Sequence, residues 1–230
     1  MDRGRRASFS LYLITDRKVH EARGLIEMCD SVLAAAPPGT VALQLREKDL
    51  GGCDLYELAC RLREICTRAG AMLLINDRID VAIASDADGV HLPADSVGAV
   101  AARKLLGAGR LIGVSTHSRD ELAAAGRDGA DFAVFGPVFD PISKSGGLPA
   151  CGPDGLLDAC RECAMPVFAL GGITPERARE LFARGGRAGR PAGVAAIGSI
   201  FGAKSPPEAL RAMLAAIGIG SAGAAGSLTR

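Results

Sequence analysis

Eight short runs of aliphatic and β-branched residues recur along the chain, each followed by a longer segment of helical period. They are Leu11 to Thr15, Val41 to Arg46, Met72 to Asn76, Gly89 to Leu92, Leu111 to Ser115, Phe132 to Gly136, Pro166 to Leu170 and Gly193 to Ile197. Such alternation demands parallel strands joined by crossover helices, because a strand buried on both faces reads as a continuous apolar run. Eight repeats in a chain of 230 residues predict an α/β fold, a single-domain (β/α)₈ TIM barrel. An open doubly wound sheet is the alternative, and the lack of a GxGxxG turn after the first run counts against its dinucleotide-binding form. A hydrophobic fraction of 48% is enough for one substantial core, and the length is short for two.

The intervening segments carry one apolar stripe each, such as Leu55, Leu58, Leu62, Ile65 and Cys66, or Leu210, Met213, Leu214 and Ile217. Ser118 with Glu121 and Ser205 with Glu208 read as capping boxes, and Thr174 precedes a proline at the first helical position. These signals divide the chain into an N-terminal extension (1–10), the barrel (11–217) and a small, polar tail (218–230) without periodicity. Arg184, Arg187 and Arg190 surround a helix-to-strand loop, which in a barrel lies on the bottom face, away from chemistry.

The 27 Lys and Arg residues nearly balance 26 Asp and Glu, so no overall field draws the protein to nucleic acid or an anionic membrane. Any anion is therefore recognised locally. The apolar run Leu11 to Ile14 is too short for a signal-peptide core or a membrane span, and a cytoplasmic location is expected. Seven cysteines, an odd number spread through helical segments, read as reduced thiols. Cys160 and Cys163 form a CxxC without a second pair, and packing accounts for them.

In a barrel of this kind chemistry sits at the C-terminal ends of the strands. The second run ends in a segment where period-two alternation puts Gln44, Arg46 and Lys48 on one face, toward the mouth, with Leu45 and Glu47 on the other. The third ends in Asn76 and Asp77; the carboxylate there suits Mg²⁺ or, equally, caps the next helix. The fifth ends in Ser115, Thr116 and His117, and the sixth leads into a loop reaching Lys144. His91, at the end of the fourth, packs or faces the mouth. The glycine turns at 170–174, including Gly172, and at Ile197, Gly198 and Ser199 follow strands seven and eight, the usual phosphate site of this fold. Two anion zones across the mouth suit a pyrophosphate and a monophosphate.

LYLITDR (11–17), QLREK (44–48), INDRIDVA (75–82), ADGVHL (87–92), GVSTHS (113–118), FGPVF (135–139) and ALGGIT (169–174) together resemble the motifs of the thiamine phosphate synthases, in order and spacing, over roughly residues 11–203. The resemblance implies a transferase that joins hydroxymethylpyrimidine pyrophosphate to hydroxyethylthiazole phosphate and needs Mg²⁺. By it, Arg46, Lys48, Asn76, Ser115 and Lys144 hold the pyrophosphate, Gln44 serves the pyrimidine, Asp77 the metal, and Gly172 with 197–199 the thiazole phosphate. Three departures stand out. Ser96 falls where a second metal carboxylate is expected, with Asp95 one residue early; Pro141 replaces a threonine; and Gly198 replaces a serine. The thiazole tautomerases, in which His117 would act as acid or base, share some of these features. A noncatalytic regulatory barrel is a third reading. A homo-oligomer is compatible with each.

Overall fold

A computed structural model describes residues 7–19, 24–140, 148–186 and 189–220. The eight predicted runs form β1 (Leu11–Ile14), β2 (Val41–Leu45), β3 (Met72–Asn76), β4 (Gly89–Leu92), β5 (Leu111–Thr116), β6 (Phe132–Phe135), β7 (Val167–Ala169) and β8 (Gly193–Ala196). Each pairs in parallel with the next, and β8 returns to β1, closing the barrel. The crossovers are α1 (Leu25–Leu33), α2 (Gly52–Ala69), α3 (Ile79–Ala84), α4 (Ala99–Leu106), α5 (Arg119–Arg127), α6 (Gly152–Glu162), α7 (Pro175–Gly185) and a final pair, α8 (Gly198–Phe201) and α9 (Pro206–Ala216). The barrel therefore replaces the open-sheet alternative.

Alternation along the strands divides the core in two. Outward residues such as Leu11, Leu13, Leu43, Leu73 and Ile112 pack against the helix stripes, including Leu55, Leu62, Ile65 and Cys66 of α2 and Leu210, Met213 and Leu214 of α9. Inward residues, Tyr12, Ile14, Ala42, Leu74, Leu111, Phe132, Val134, Phe168 and Ala195, fill the barrel. The predicted N-terminal extension contributes to this filling. Phe9, ahead of β1, stacks on Phe168 at 4.8 Å and meets Phe132 edge-on at 5.3 Å, making an aromatic floor at the bottom. Gly113 on β5 makes room for it, since a Cβ there would lie 2.2 Å from the Phe132 ring.

The lower rim is tied by a device used twice. Asp88, just before β4, accepts from Leu73 N–H at 2.9 Å and from Arg63 of α2 at 2.5 Å. Asp131, just before β6, accepts from Ile112 N–H at 2.7 Å and from Arg103 of α4 at 2.6 Å. Both carboxylates meet the N–H of a neighbouring strand and a helix-borne guanidinium, a charge-assisted arrangement that reads as stability.

Two of the three expected caps form. Ser118 Oγ accepts from Glu121 N–H at 3.2 Å, and Thr174 Oγ1 from Arg177 N–H at 3.3 Å. Glu121 reaches back one residue beyond the cap, to His117 N–H at 2.6 Å. Ser205 makes no side-chain cap bond, so α9 starts without the expected box. Of the bottom-face arginines, Arg184 pairs with Asp154 and Glu180 and Arg190 lies over Phe182, while Arg187 lies outside the described residues.

Candidate active site

Strand parity brings Gln44, Asn76, His91 and Ser115 inward on four consecutive strands, β2 to β5. The register sets Asn76 beside His91 and Gly113 beside His91, so Ser115 stands one inward step higher. Gln44 is 1% exposed and belongs to the barrel interior rather than the open rim. Its Nε2 donates to Tyr12 Oη at 2.9 Å, which fixes the amide from below. Burial pushes the Tyr12 phenol well above its ordinary range, so that hydroxyl stays protonated.

His91 is fully enclosed between the Tyr12 and Phe132 rings, and its Nε2 lies 2.9 Å from Ser115 Oγ. Among the described residues Nδ1 has no partner. Burial, with the positive charge of Arg46 adding to it, pushes this imidazole down to about 3, so it is neutral near pH 7. A buried N–H without a partner costs more than a buried lone pair. The favoured tautomer therefore carries its proton on Nε2, donating to Ser115 and leaving the serine hydroxyl hydrogen for a ligand.

The strand on which the common face of Gln44, Arg46 and Lys48 was expected ends one residue earlier than the sequence predicts. β2 stops at Leu45, because Arg46 N–H turns to Thr15 Oγ1 at 2.9 Å instead of continuing the ladder. Past that point the ladder no longer enforces alternation. Glu47 and Lys48 both line one recess of about 260 Å³, shared with Asn76, Asp77, Arg78, Pro93 and Asp95. Glu47 is 6% exposed and accepts from the Thr15 hydroxyl at 2.7 Å and from Arg17 N–H at 3.2 Å. Burial raises its carboxyl above the ordinary range, outweighing the lowering by Thr15 and Arg17.

Asp77 sits at the rim with φ of +64°, its N–H held by the His91 carbonyl at 2.9 Å. Its side chain accepts from the Ser96 hydroxyl. It does not cap α3, which starts after Arg78 without a side-chain cap, so the capping alternative fails. Ser96, which stands where a second carboxylate was expected, thus bonds the first one, and Asp95 borders the same recess. Among the described residues no three His, Cys, Asp or Glu side chains cluster as a metal centre by themselves.

Across the mouth, Gly172 adopts φ of +60°, and a Cβ there would come within 2.8 Å of the Asp140 carbonyl oxygen. Arg177 donates to the Gly172 carbonyl at 2.7 Å and stacks over Phe139 at 4.5 Å, joining the loops after β6 and β7. Ile197 is half-buried, Gly198 and Ser199 are exposed, and the space around Gly198 is open. His117 Nδ1 lies 2.5 Å from the Gly136 carbonyl oxygen, which puts a proton on that nitrogen. Lys144 and Pro141 lie outside the described residues.

Three residues that the sequence reading passed over belong to this neighbourhood: Tyr12, Glu47 and Arg177. Parity along LYLI would have put Tyr12 beside the inward Gln44. Nothing in the sequence signalled the burial of Glu47, and the contact of Arg177 depends on a loop path.

The chain matches the family model described as thiamine monophosphate synthase over residues 11–213. It is 47% identical over 210 residues to a putative thiamine-phosphate synthase of Geobacter sulfurreducens, covering 91% of this chain and 95% of that protein. It is 43% identical to the thiamine-phosphate synthase of Chlorobium luteolum, covering 84% and 89%. Among solved structures, thiamine phosphate pyrophosphorylase from Pyrococcus furiosus superposes with a TM-score of 0.79 at 29% identity, over 92% of this chain and 96% of that one.

Proposed function

Since the chain belongs to the thiamine monophosphate synthase family, we infer that it is a transferase joining hydroxymethylpyrimidine pyrophosphate to hydroxyethylthiazole phosphate, with thiamine phosphate and pyrophosphate as products. The observation that carries the reading is the polar row Gln44, Asn76, His91 and Ser115 on four adjacent strands, of which Asn76 also lines the recess with Lys48, Asp77 and Asp95. The tautomerase and regulatory alternatives gain no support from these relatives.

The reaction breaks the C–O bond between the pyrimidine methylene and pyrophosphate, whose oxygen takes the electron pair. The thiazole nitrogen then forms the new C–N bond with its lone pair. Such a displacement asks for leaving-group stabilisation and alignment more than for proton transfer. Arg46 and Lys48 supply charge to the departing pyrophosphate, Asn76 and Ser115 supply hydrogen bonds, and Lys144 completes the set. The Nε2–H of His91 occupies one side of the Ser115 oxygen, so the serine proton is free for a phosphate oxygen. Gln44, held by Tyr12, keeps a second amide hydrogen and its carbonyl for the pyrimidine. Gly172 and the turn Ile197, Gly198, Ser199 offer backbone donors to the thiazole phosphate. His117 stays the candidate acid or base of the mouth, its proton fixed on Nδ1.

The residues fit Mg²⁺. Asp77 and Asp95 border one recess, and this cation binds through one or two carboxylates, waters and substrate phosphates rather than a full protein cage. When bound there, Mg²⁺ would neutralise charge on the pyrophosphate oxygens. A cytoplasmic location agrees with seven unpaired cysteines. Among the described residues no helix is long and apolar enough to cross a membrane. The deciding experiment is to incubate the purified protein with both substrates and Mg²⁺ and to look for thiamine phosphate. No product, with tautomerisation of a thiazole carboxylate phosphate that is lost in His117→Ala, would overturn the assignment.

A further inference from the structure

We propose that Glu47 is a positioning residue for pyrophosphate recognition, locking the turn that carries Arg46 and Lys48 onto the end of β1. The proposal rests on the synthase reading and adds to it a residue that need not touch substrate.

A carboxylate beside an anion site opposes binding unless its charge is used elsewhere. Both Glu47 oxygens are used. Oε1 accepts from the Thr15 hydroxyl at 2.7 Å and from Arg17 N–H at 3.2 Å, and Oε2 accepts from Arg17 N–H at 3.3 Å. Thr15, itself fully buried, accepts in turn from Arg46 N–H at 2.9 Å, and its own N–H donates to the Gln44 carbonyl at 3.0 Å. A closed circuit results: Arg46 backbone to Thr15, Thr15 to the Glu47 carboxylate, and Glu47 by its peptide bond back to Arg46.

The circuit joins the ends of two neighbouring strands at the point where β2 has already left the ladder. Sheet hydrogen bonds no longer hold the backbone there, so a substitute is needed. Arg46 and Lys48 flank Glu47 in sequence, and both project from the segment it pins. Outside the circuit, Arg17 and Lys18 pair with Asp49 at 2.9 and 3.5 Å, an exposed contact of little strength. Anchoring therefore falls to the buried carboxylate. A misplacement of about 1 Å in a binding group can cost about 100-fold in rate, which is the scale on which loss of this anchor should be felt.

The experiment compares full-length Glu47→Ala and Glu47→Gln with the unaltered chain. Affinity for inorganic pyrophosphate with Mg²⁺ is read by calorimetry, KM for each substrate by product formation, and folding by Tm. Glu47→Ala should weaken pyrophosphate binding and raise the pyrimidine pyrophosphate KM by roughly tenfold or more, with the thiazole phosphate KM within about twofold. Glu47→Gln keeps an acceptor oxygen and should recover most of the loss. Adding Thr15→Val to Glu47→Ala should cost less than the product of the two single losses, because both residues act on one circuit. A fall in Tm with unchanged pyrophosphate affinity, or an equal rise in both KM values, overturns the proposal. An unaltered chain that binds pyrophosphate without turnover overturns the synthase reading instead, and the Glu47 variants are then judged on pyrophosphate affinity alone.

Discussion

Replacing Asp77 by glycine separates function from structure at the rim of the barrel. Asp77 holds φ of +64°, a conformation that costs a side-chain-bearing residue about 1–2 kcal/mol. Glycine removes that cost but brings back about 0.5–1 kcal/mol of backbone entropy. The bond from Ser96 is also lost, worth about 0.5–1.5 kcal/mol at an exposed position. These contributions nearly cancel, so Asp77→Gly should change stability by no more than about 1 kcal/mol, or about 2–4 °C in Tm for a chain of this size. Asp77→Asn tolerates the same φ, keeps an acceptor for Ser96 and should be closer still. Both remove the charge proposed for Mg²⁺, and product formation at fixed Mg²⁺ should fall by about 100-fold or more, in part recoverable at higher Mg²⁺. Differential scanning fluorimetry and a Mg²⁺ titration of product formation measure the two quantities separately. A Tm loss well beyond 5 °C with activity falling in step would make the carboxylate structural. Full activity in Asp77→Asn would remove it from the metal site.

Tyr12→Phe should destabilise the protein by about 1–3 kcal/mol, since it strands the buried Gln44 amide; Tyr12→Phe with Gln44→Leu should recover the stability in denaturant melts but not pyrimidine binding. Gly113→Ala should cost about 1–3 kcal/mol by driving a methyl into Phe132, 2.2 Å away, with partial rescue by Phe132→Leu in the same melts. His91 makes stability fall on the acid side: its folded value of about 3 lies below the unfolded 6.5, so between these the unfolded chain binds the extra proton. At pH 5 the loss is about 2 kcal/mol relative to neutral pH, and His91→Gln should flatten that limb of the stability profile; an unchanged limb would mean the imidazole is solvated.

The strands were legible because each is buried on both faces, and β3 and β4 have the bounds expected from sequence. Parity placed Gln44 on the inner face, whereas Asn76 and Ser115 were expected only at strand ends, and the register then turns them inward. The ladder ends one residue past β2, where the hydroxyl of Thr15, just beyond β1, captures the Arg46 N–H. No local pattern encodes partners some thirty residues away, so the hydrogen bonds that Thr15 makes to Arg46 and Glu47 were not legible. The left-handed backbone at Asp77 was equally hidden, since aspartate permits that conformation without requiring it. His91 was left between packing and the mouth, and it does both: enclosed by rings, it also orients a hydroxyl that faces the opening.

The aromatic floor has a practical side. Because Phe9 enters the barrel from below, the described chain at Ala7 lies on the face opposite the mouth. An affinity handle joined ahead of residue 7 starts from that side, and a chain tethered through it to a surface would present its open end to solution. Trimming the start of the gene past Phe9 would instead unstop the vessel, letting water reach Phe132 and Phe168 from beneath.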